Sequence, residues 1–227
     1  MAGARRQEPR PRGQRKVPRA VREPHMLEMA GRVFAARGFH DASMDEIAEA
    51  AGISKPMLYS YFGSKEGLYF AYVDLAYREL ITAIDQAVAA AGRDPAQQLR
   101  AGTLAYYVYV GEHRHAFRVL FREMGDPGGE LAPQRHRLAR RVGAAIEEIV
   151  LASEARAWAP ADTAALAEGW IGAARSMADW WLDHPELSAE AITERMLDFG
   201  LIGVRGMCRP VARASGADAG RVGEHPA

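Results

Sequence analysis

Apolar residues recur every three to four positions along most of the chain, and no segment alternates with the period of two that predicts a strand. Capping residues, glycines and prolines divide this pattern into nine helical segments. The predicted helices cover about residues 24–37, 43–51, 54–62, 64–91, 94–112, 115–124, 133–155, 160–183 and 188–209. The glycine-rich and proline-rich segment GDPGGELAP is predicted to be a loop. The chain is therefore predicted to be all-α.

Residues 43–68 form the most informative stretch, SMDEIAEAAGISKPMLYSYFGSKEGL. Ser43 and Glu46 have the spacing of a capping box, in which each residue satisfies a free N–H group at a helix start. Gly52 follows the short apolar face of that helix, where the chain must turn and a left-handed residue costs least. Ser54 and Pro56 then favour the start of a second helix. This order predicts a helix-turn-helix.

The second helix of the pair leaves a polar and aromatic surface for a partner. Leu58 and Phe62 lie four positions apart and are predicted to face inward. The other faces carry one cation, two phenols, a hydroxyl and a thioether, from Lys55, Tyr59, Tyr61, Ser60 and Met57. Such side chains suit contacts with base edges and phosphates in the major groove. An ordinary helical hairpin with surface aromatics would show the same local pattern.

Further motifs lie on either side of this pair. The first predicted helix, in LEMAGRVFAARGFHDAS, carries Leu27, Ala30, Phe34, Gly38 and Phe39. The blocks IAEAAGIS, LYSYF and SKEGL follow it in order. Together, over about residues 22–69, these motifs resemble the DNA-binding domain of the tetracycline-repressor (TetR/AcrR) family of bacterial regulators, which has the same blocks at the same spacing.

The resemblance implies an N-terminal three-helix helix-turn-helix domain followed by a C-terminal helical domain for ligand binding and dimerisation. We expect residues 22–82 to form the first domain and 83–210 the second, with the fourth helix shared. Residues 1–21 and 211–227 are expected to be disordered tails. The implied function is a one-component transcriptional regulator, for which repression is the expected effect and activation stays open. It would bind a palindromic double-stranded DNA operator as a homodimer and be released by a small hydrophobic effector.

The expected DNA contacts follow from the same match. They are Ser43, Met44, Ser54, Lys55, Pro56, Met57, Tyr59, Ser60, Tyr61 and Lys65. Lys55 suits guanine acceptors or a phosphate, and Met57 suits a thymine methyl. Tyr59, Tyr61 and Lys65 resemble the family's phosphate contacts. Met57 departs from the family, which often carries a smaller threonine, serine or alanine there, so the base preference at this position is open.

The last two predicted helices carry several glycines at helical spacing. A glycine inside a helix costs about 0.5–1 kcal/mol relative to alanine, so repeated glycines favour close approach of helices. The resemblance implies that these two helices from each subunit form a four-helix dimer interface. The expected interface residues are Gly172, Ile192, Met196, Phe199 and Gly203. Packing within one chain is the alternative explanation.

The middle helices carry aromatic and methionine side chains at helical spacing. Such residues most often form a core, but they also line apolar small-molecule pockets. The resemblance places the effector site here, lined by Tyr106, Val110, His113, Phe117, Phe121, Trp170, Met177 and Trp181. Metal binding by Glu112, His113 and His115 would match no familiar ligand spacing, so neither a metal nor a cofactor is predicted.

Composition sets the context of these predictions. The formal net charge is zero, but residues 1–22 carry eight cations and one acid. This basic tail is a candidate to lie along phosphates or to enter the minor groove, although a GC-biased coding sequence would produce the same composition. The apolar runs are too short to span a bilayer, so no membrane partner is expected. The single cysteine, Cys208, fits the reducing cytoplasm.

Two other functional classes remain open. An all-helical enzyme would need a cofactor motif or a nucleophile with its base, and the sequence has no P-loop, GxGxxG, GxSxG or HExxH. An enzyme is therefore not predicted. A DNA-binding protein that acts architecturally would share the helix-turn-helix but would not respond to an effector.

Overall fold

The computed structural model describes residues 19–121, 140, 142–148 and 160–207, and every regular element among them is an α-helix. The helices are α1 (Arg19–Asp41), α2 (Met44–Ala50), α3 (Lys55–Phe62), α4 (Lys65–Ala90), α5 (Pro95–Glu112), α6 (Arg114–Phe121), α7 (residues 142–148), α8 (Pro160–Trp181) and α9 (Ala189–Met207). The predicted all-α fold is confirmed. None of these described helices has the length and apolar character needed to span a bilayer.

The first helix differs from its prediction at both ends. α1 begins at Arg19 and continues through Pro24, which had been expected to start the helix. Residues 19–21 are therefore helical and do not belong to the predicted tail. Gly38 has φ 78° and ψ 163°, a backbone conformation that glycine adopts readily. This residue kinks α1 three residues before the helix ends at Asp41. Predictions for residues 1–18, for the loop and for the C-terminal tail lie outside the described residues.

Four of the predicted helix starts are confirmed by capping hydrogen bonds. Side-chain oxygens of the capping residues accept from backbone N–H groups at 3.1 Å for Ser43, 3.0 Å for Ser64, 3.0 Å for Asp94 and 3.2 Å for Ser188. The turn after α2 has its left-handed residue at Gly52, with φ 64°. These features are local, which is why the spacing of the sequence predicts them well.

The described chain divides into two compact units. The first contains the described residues up to Arg78 together with residues 115–121, and the second contains Glu79–Arg114 with the described residues of α7, α8 and α9. The division therefore falls inside α4, after Arg78. The domain boundary at residue 82 stays a prediction. Residues 115–121, which make up most of α6, belong to the first unit.

Aromatic rings form the core of the first unit. Phe34 and Phe39 each meet Tyr69 of α4 edge-on, with centroid separations of 5.2 and 5.0 Å. The Tyr69 hydroxyl donates to the backbone carbonyl of Val119 at 3.2 Å. These contacts join α1, α4 and α6, and α2 in turn packs on α1 and α3.

In the second unit, α9 packs on both α5 and α8. The ring of Tyr107 is fully buried, meets Trp181 edge-on at 5.9 Å, and its hydroxyl donates to the carbonyl of Ala174 at 3.3 Å. Gly200 of α9 lies beneath the indole of Trp170, where any β-carbon would overlap the ring. This close approach of α8 and α9 requires glycine at position 200.

Candidate nucleic-acid interface

The α2–turn–α3 hairpin is fixed by a small apolar core. Ile47 of α2 and Leu58 of α3 have no exposed surface, and Ala48 and Ala51 are nearly as buried. The N–H of Ile53 donates to the carbonyl of Ala48 at 3.0 Å across the turn. Because one face of each helix is buried in this core, the opposite face of α3 is exposed to solvent.

That exposed face carries most of the predicted DNA contacts. Lys55, Pro56, Tyr59 and Ser60 are exposed, and Tyr59 keeps 41% of its surface accessible. The Ser60 hydroxyl donates to the carbonyl of Met57 at 2.7 Å, which leaves its oxygen able to accept from a base or water. The face therefore offers donors, acceptors and aromatic surface.

The two serines that precede the helices differ. Ser43 is an exposed N-cap whose oxygen accepts from the N–H of Glu46, while the carboxylate of Glu46 accepts from Arg37 at 3.1 Å. Ser54 occupies the N-cap position of α3 without a capping hydrogen bond from its side chain. Its hydroxyl is thus not committed to the helix that it precedes.

Lys55, the first residue of α3, is held by an acid on the neighbouring helix. Its ammonium lies 2.8 Å from Oδ2 of Asp45, and the two side chains keep 44% and 70% of their surface exposed. The hydrogen bond that Lys55 donates to Asp45 raises the pKa of Lys55. Spacing on one helix did not reveal this partner because the two residues belong to different helices.

A cation from α1 also reaches the surface of α3. Nη1 of Arg22 lies 3.9 Å from Sδ of Met57, and both side chains are half-buried. Arg22 was not among the predicted DNA contacts, although its place in the basic segment was the available signal. Because α1 begins at Arg19, Arg22 is part of this helix and its side chain lies against α3.

The side chain of Lys65 packs against the end of α1 and does not extend into solvent. Its ammonium donates to the backbone carbonyls of His40 at 3.0 Å and Ala42 at 3.1 Å, and it lies 4.7 Å from the ring centroid of Phe39. Lysine side chains commonly satisfy free carbonyls at helix ends, where the dipole also favours a positive charge. Here the lysine is supplied by the start of α4 and the carbonyls by the junction of α1 and α2.

Two further predicted contacts are less available. Met44 is only 5% exposed, so its side chain belongs to the core and leaves little surface for DNA, and the contact at this position stays a prediction. Its position at the first turn of an amphipathic helix favours burial. Tyr61 is half-buried, and its ring lies 6.0 Å from that of Phe62.

The residues expected to line an effector site fall in both units. Phe117 and Phe121 belong to the first unit, and the other six, Tyr106, Val110, His113, Trp170, Met177 and Trp181, belong to the second. The indole N–H of Trp181 donates to the carbonyl of Leu187 at 2.8 Å, so this side chain also has a structural role. Across the described chain, no three acidic, histidine or cysteine side chains are grouped to hold a metal.

The residues expected at a dimer interface also divide. Ile192 and Met196 are buried within the chain, because α9 packs on α5 and α8, so they do not lie on a free surface. Phe199, by contrast, is 58% exposed, and no described atom lies within 4 Å of a β-carbon built at Gly172. Gly203 lies within α9. Trp180 of α8, which was not predicted, is 49% exposed.

The chain matches two known protein families in these same regions. Residues 26–72 match bacterial regulatory proteins of the tetR family, and residues 95–203 match the tetracyclin repressor-like C-terminal domain. A TetR-like transcriptional regulator from Rhodococcus sp. RHA1, known from its crystal structure, is 32% identical with a TM-score of 0.71. That alignment covers 84% of this chain and 100% of the Rhodococcus chain.

Other relatives extend the comparison. The HTH-type transcriptional activator FasR of Mycolicibacterium smegmatis is 39% identical over 110 residues, which is 48% of this chain and about half, 49%, of FasR. FadR from Bacillus subtilis, solved in complex with stearoyl-CoA, shares the fold with a TM-score of 0.67 at 15% identity over 79% of this chain and 98% of its own. A helix-turn-helix on a helical C-terminal domain defines a class of DNA-binding transcription regulators. Within that class, the chain belongs to the TetR family.

Proposed function

We propose that this TetR-family regulator binds a palindromic operator as a homodimer, with α3 of each subunit in the major groove. The exposed face of α3 carries the proposal, since Lys55, Tyr59 and Ser60 are accessible on a hairpin fixed by Ile47 and Leu58. Recognition helices of this motif read base edges, and dimers place two of them about one helical turn of DNA apart. We propose that the protein acts in the cytoplasm.

Exposed apolar groups on the second unit support the homodimer. Phe199 follows Ile192 by seven residues, so it lies within roughly 20° of the same helix face and about 10 Å further along α9. The apolar stripe that is buried at Ile192 therefore continues onto an uncovered part of the helix at Phe199. Large exposed apolar side chains such as Phe199 and Trp180 mark association surfaces, and Gly172 gives room for a close approach.

Selection from a random-sequence duplex library, followed by footprinting, tests the DNA-binding proposal. We expect a recovered site with two-fold symmetry, a short protected region, and two chains for each duplex in the smallest complex. Protection that spreads along the duplex as protein is added would instead indicate an architectural protein. Failure to enrich any sequence over the starting library would contradict operator binding.

For the effector, we propose a small hydrophobic molecule bound in the second unit. Tyr106, Val110, Met177 and Trp170 supply aromatic and aliphatic surface, and His113, which stacks on Tyr109 at 4.4 Å, supplies a polar group. A ligand releases DNA only if it binds the non-operator conformation better. A shift from 1:99 to 99:1 requires roughly 5.5 kcal/mol of preference.

Fatty acids and their CoA thioesters of increasing chain length are suitable probes of this hydrophobic class. Binding should change the tryptophan emission and should lower the operator-bound fraction, and a Trp170→Phe variant shows how much of the emission change comes from Trp170. We propose repression as the regulatory effect. Since the relative FasR is named an activator, a promoter fusion should be measured with and without the regulator, and expression that falls without it would contradict repression.

A further inference from the structure

Asp45 holds the first cation of the recognition helix before DNA arrives. The ammonium of Lys55 lies 2.8 Å from Oδ2 of Asp45, and both groups are exposed on the surface that carries the predicted DNA contacts. No residue in the first turn of α3, all of which is described, is acidic. The one carboxylate that the structure shows bonded to the ammonium of Lys55 therefore comes from the first turn of α2.

This arrangement has an electrostatic cost for DNA binding. Non-specific affinity comes almost entirely from cations that neutralise phosphates and release counterions. A carboxylate bonded to Lys55 cancels one such cation and adds a negative charge close to the phosphates. An exposed ion pair of this type contributes only about 0–1 kcal/mol to folding stability. Folding stability alone therefore does not explain why the pair lies on the surface that carries the predicted DNA contacts.

We propose that Asp45 is a specificity-determining residue that restrains Lys55 and thereby weakens binding to non-operator DNA. At random sequence, the ammonium gains only a phosphate and must give up Asp45. At the operator, base acceptors such as guanine O6 and N7 add to the gain, since a good side-chain contact to a base edge is worth about 1–3 kcal/mol of discrimination. The inference rests on the proposed DNA-binding function.

The test compares Asp45→Asn with Glu49→Gln by measuring affinity for a selected duplex and for a scrambled duplex of the same composition over a range of salt. Glu49 is exposed on α2, four residues from Asp45, so both variants remove one negative charge from the same helix. We expect Asp45→Asn to raise affinity for the scrambled duplex about three- to fivefold at low salt, as the release of one exposed ion pair allows. Its salt slope should steepen by about 0.9. Affinity for the selected duplex should change less.

The same measurements in a Lys55→Gln background separate restraint of Lys55 from a general charge effect. In that background, Asp45→Asn should raise the affinity for the scrambled duplex no more than Glu49→Gln does, because the cation that Asp45 restrains is absent. An equal gain with and without Lys55, or equal gains for Asp45→Asn and Glu49→Gln, would overturn the inference. If Asp45→Asn melts earlier than the parent, Asp45→Ser provides a second variant at this helix start.

The outcome separates the inference from the function on which it rests. If the parent chain binds no selected duplex, the proposed function fails. If the parent binds with a clear preference and Asp45→Asn leaves that preference unchanged, only the role of Asp45 fails.

Discussion

The ammonium of Lys65 donates a hydrogen bond to the backbone carbonyl of Ala42, 3.1 Å away, immediately before the N-cap of α2. A second bond to His40 and the ring of Phe39 complete its surroundings. These contacts connect the first residue of α4 to the junction that orients the helix-turn-helix. Lys65 therefore has a structural role that its resemblance to a phosphate contact does not describe.

The first prediction compares two lysines that begin successive helices. Lys65→Met should lower the free energy of unfolding by about 1–3 kcal/mol, because two backbone carbonyls lose their donor. Lys55→Met should change stability by about 1 kcal/mol or less, since Lys55 has only an exposed ion pair. Urea denaturation followed by circular dichroism measures both.

DNA binding by the same two variants gives the complementary result. The salt slope of operator binding should be nearly unchanged in Lys65→Met and should fall by about one in Lys55→Met if Lys55 contacts a phosphate. A slope that falls by one in Lys65→Met, with normal stability, would restore Lys65 as a phosphate contact and contradict the structural role.

The second prediction concerns the two serines of the helix-turn-helix. Ser43→Ala should cost about 1 kcal/mol of stability, because the oxygen of Ser43 caps the N–H of Glu46 at 3.1 Å. Ser54→Ala should stay within about 0.5 kcal/mol of the parent, since Ser54 makes no side-chain cap. Thermal and urea unfolding of the two variants, side by side, decides the matter, and equal losses would count against it.

The third prediction separates the interface from the core on α9. Phe199→Glu should yield a folded monomer, because Phe199 is 58% exposed in the single chain and a charge there conflicts only with association. Met196→Glu should instead prevent stable folding, since Met196 has no exposed surface and an unpaired buried charge costs several kcal/mol. Sedimentation velocity together with thermal unfolding distinguishes the two effects. An intact Phe199→Glu dimer would move the interface elsewhere.

The fourth prediction concerns alkaline pH. Burial raises the pKa of Tyr107 and of Tyr109 well above the usual value for tyrosine, and for Tyr109 the nearby carboxylate of Glu79 adds to the rise. The folded chain therefore holds these protons more tightly than the unfolded chain. Their contribution to stability should be fully present below about pH 10 and should be lost as the pH rises further, when the unfolded tyrosines ionise.

Urea midpoints measured from about pH 8 to about pH 11 test this effect, because tyrosine in the unfolded chain ionises near pH 10. The Tyr107→Phe variant is the control, since it keeps the buried ring and removes the ionisable hydroxyl. Its midpoint should fall less steeply with pH than that of the parent. Parallel curves for the two proteins would show that Tyr107 does not contribute.

Local patterns in the sequence predicted the helices and most of their boundaries. The caps at Ser43, Ser64 and Asp94 and the left-handed Gly52 depend on residues only a few positions apart, so spacing is sufficient to identify them. The early start of α1 is an exception. Proline favours a first helical turn, and Pro24 therefore suggested a start that the structure places at Arg19.

Contacts between distant residues were the part that spacing could not predict. Asp45 and Lys55 lie on different helices, and Lys65 bonds to carbonyls 23 and 25 residues away. Likewise, Ile192 and Phe199 share one apolar stripe of α9, yet only Ile192 is covered by its own chain. Whether a position on that stripe is covered depends on where α5 and α8 pack, which the periodicity of α9 alone does not specify.

The fit of Gly200 beneath the indole of Trp170 has a consequence for the descent of this protein. A side chain larger than hydrogen at position 200 is compatible with this packing only if position 170 carries a smaller residue. The two sites should therefore change together among related regulators, although they are thirty positions apart. At position 172, no described neighbouring helix lies within 4 Å of where a β-carbon would be. This position should instead diverge together with the surface that the proposed dimer would place against it.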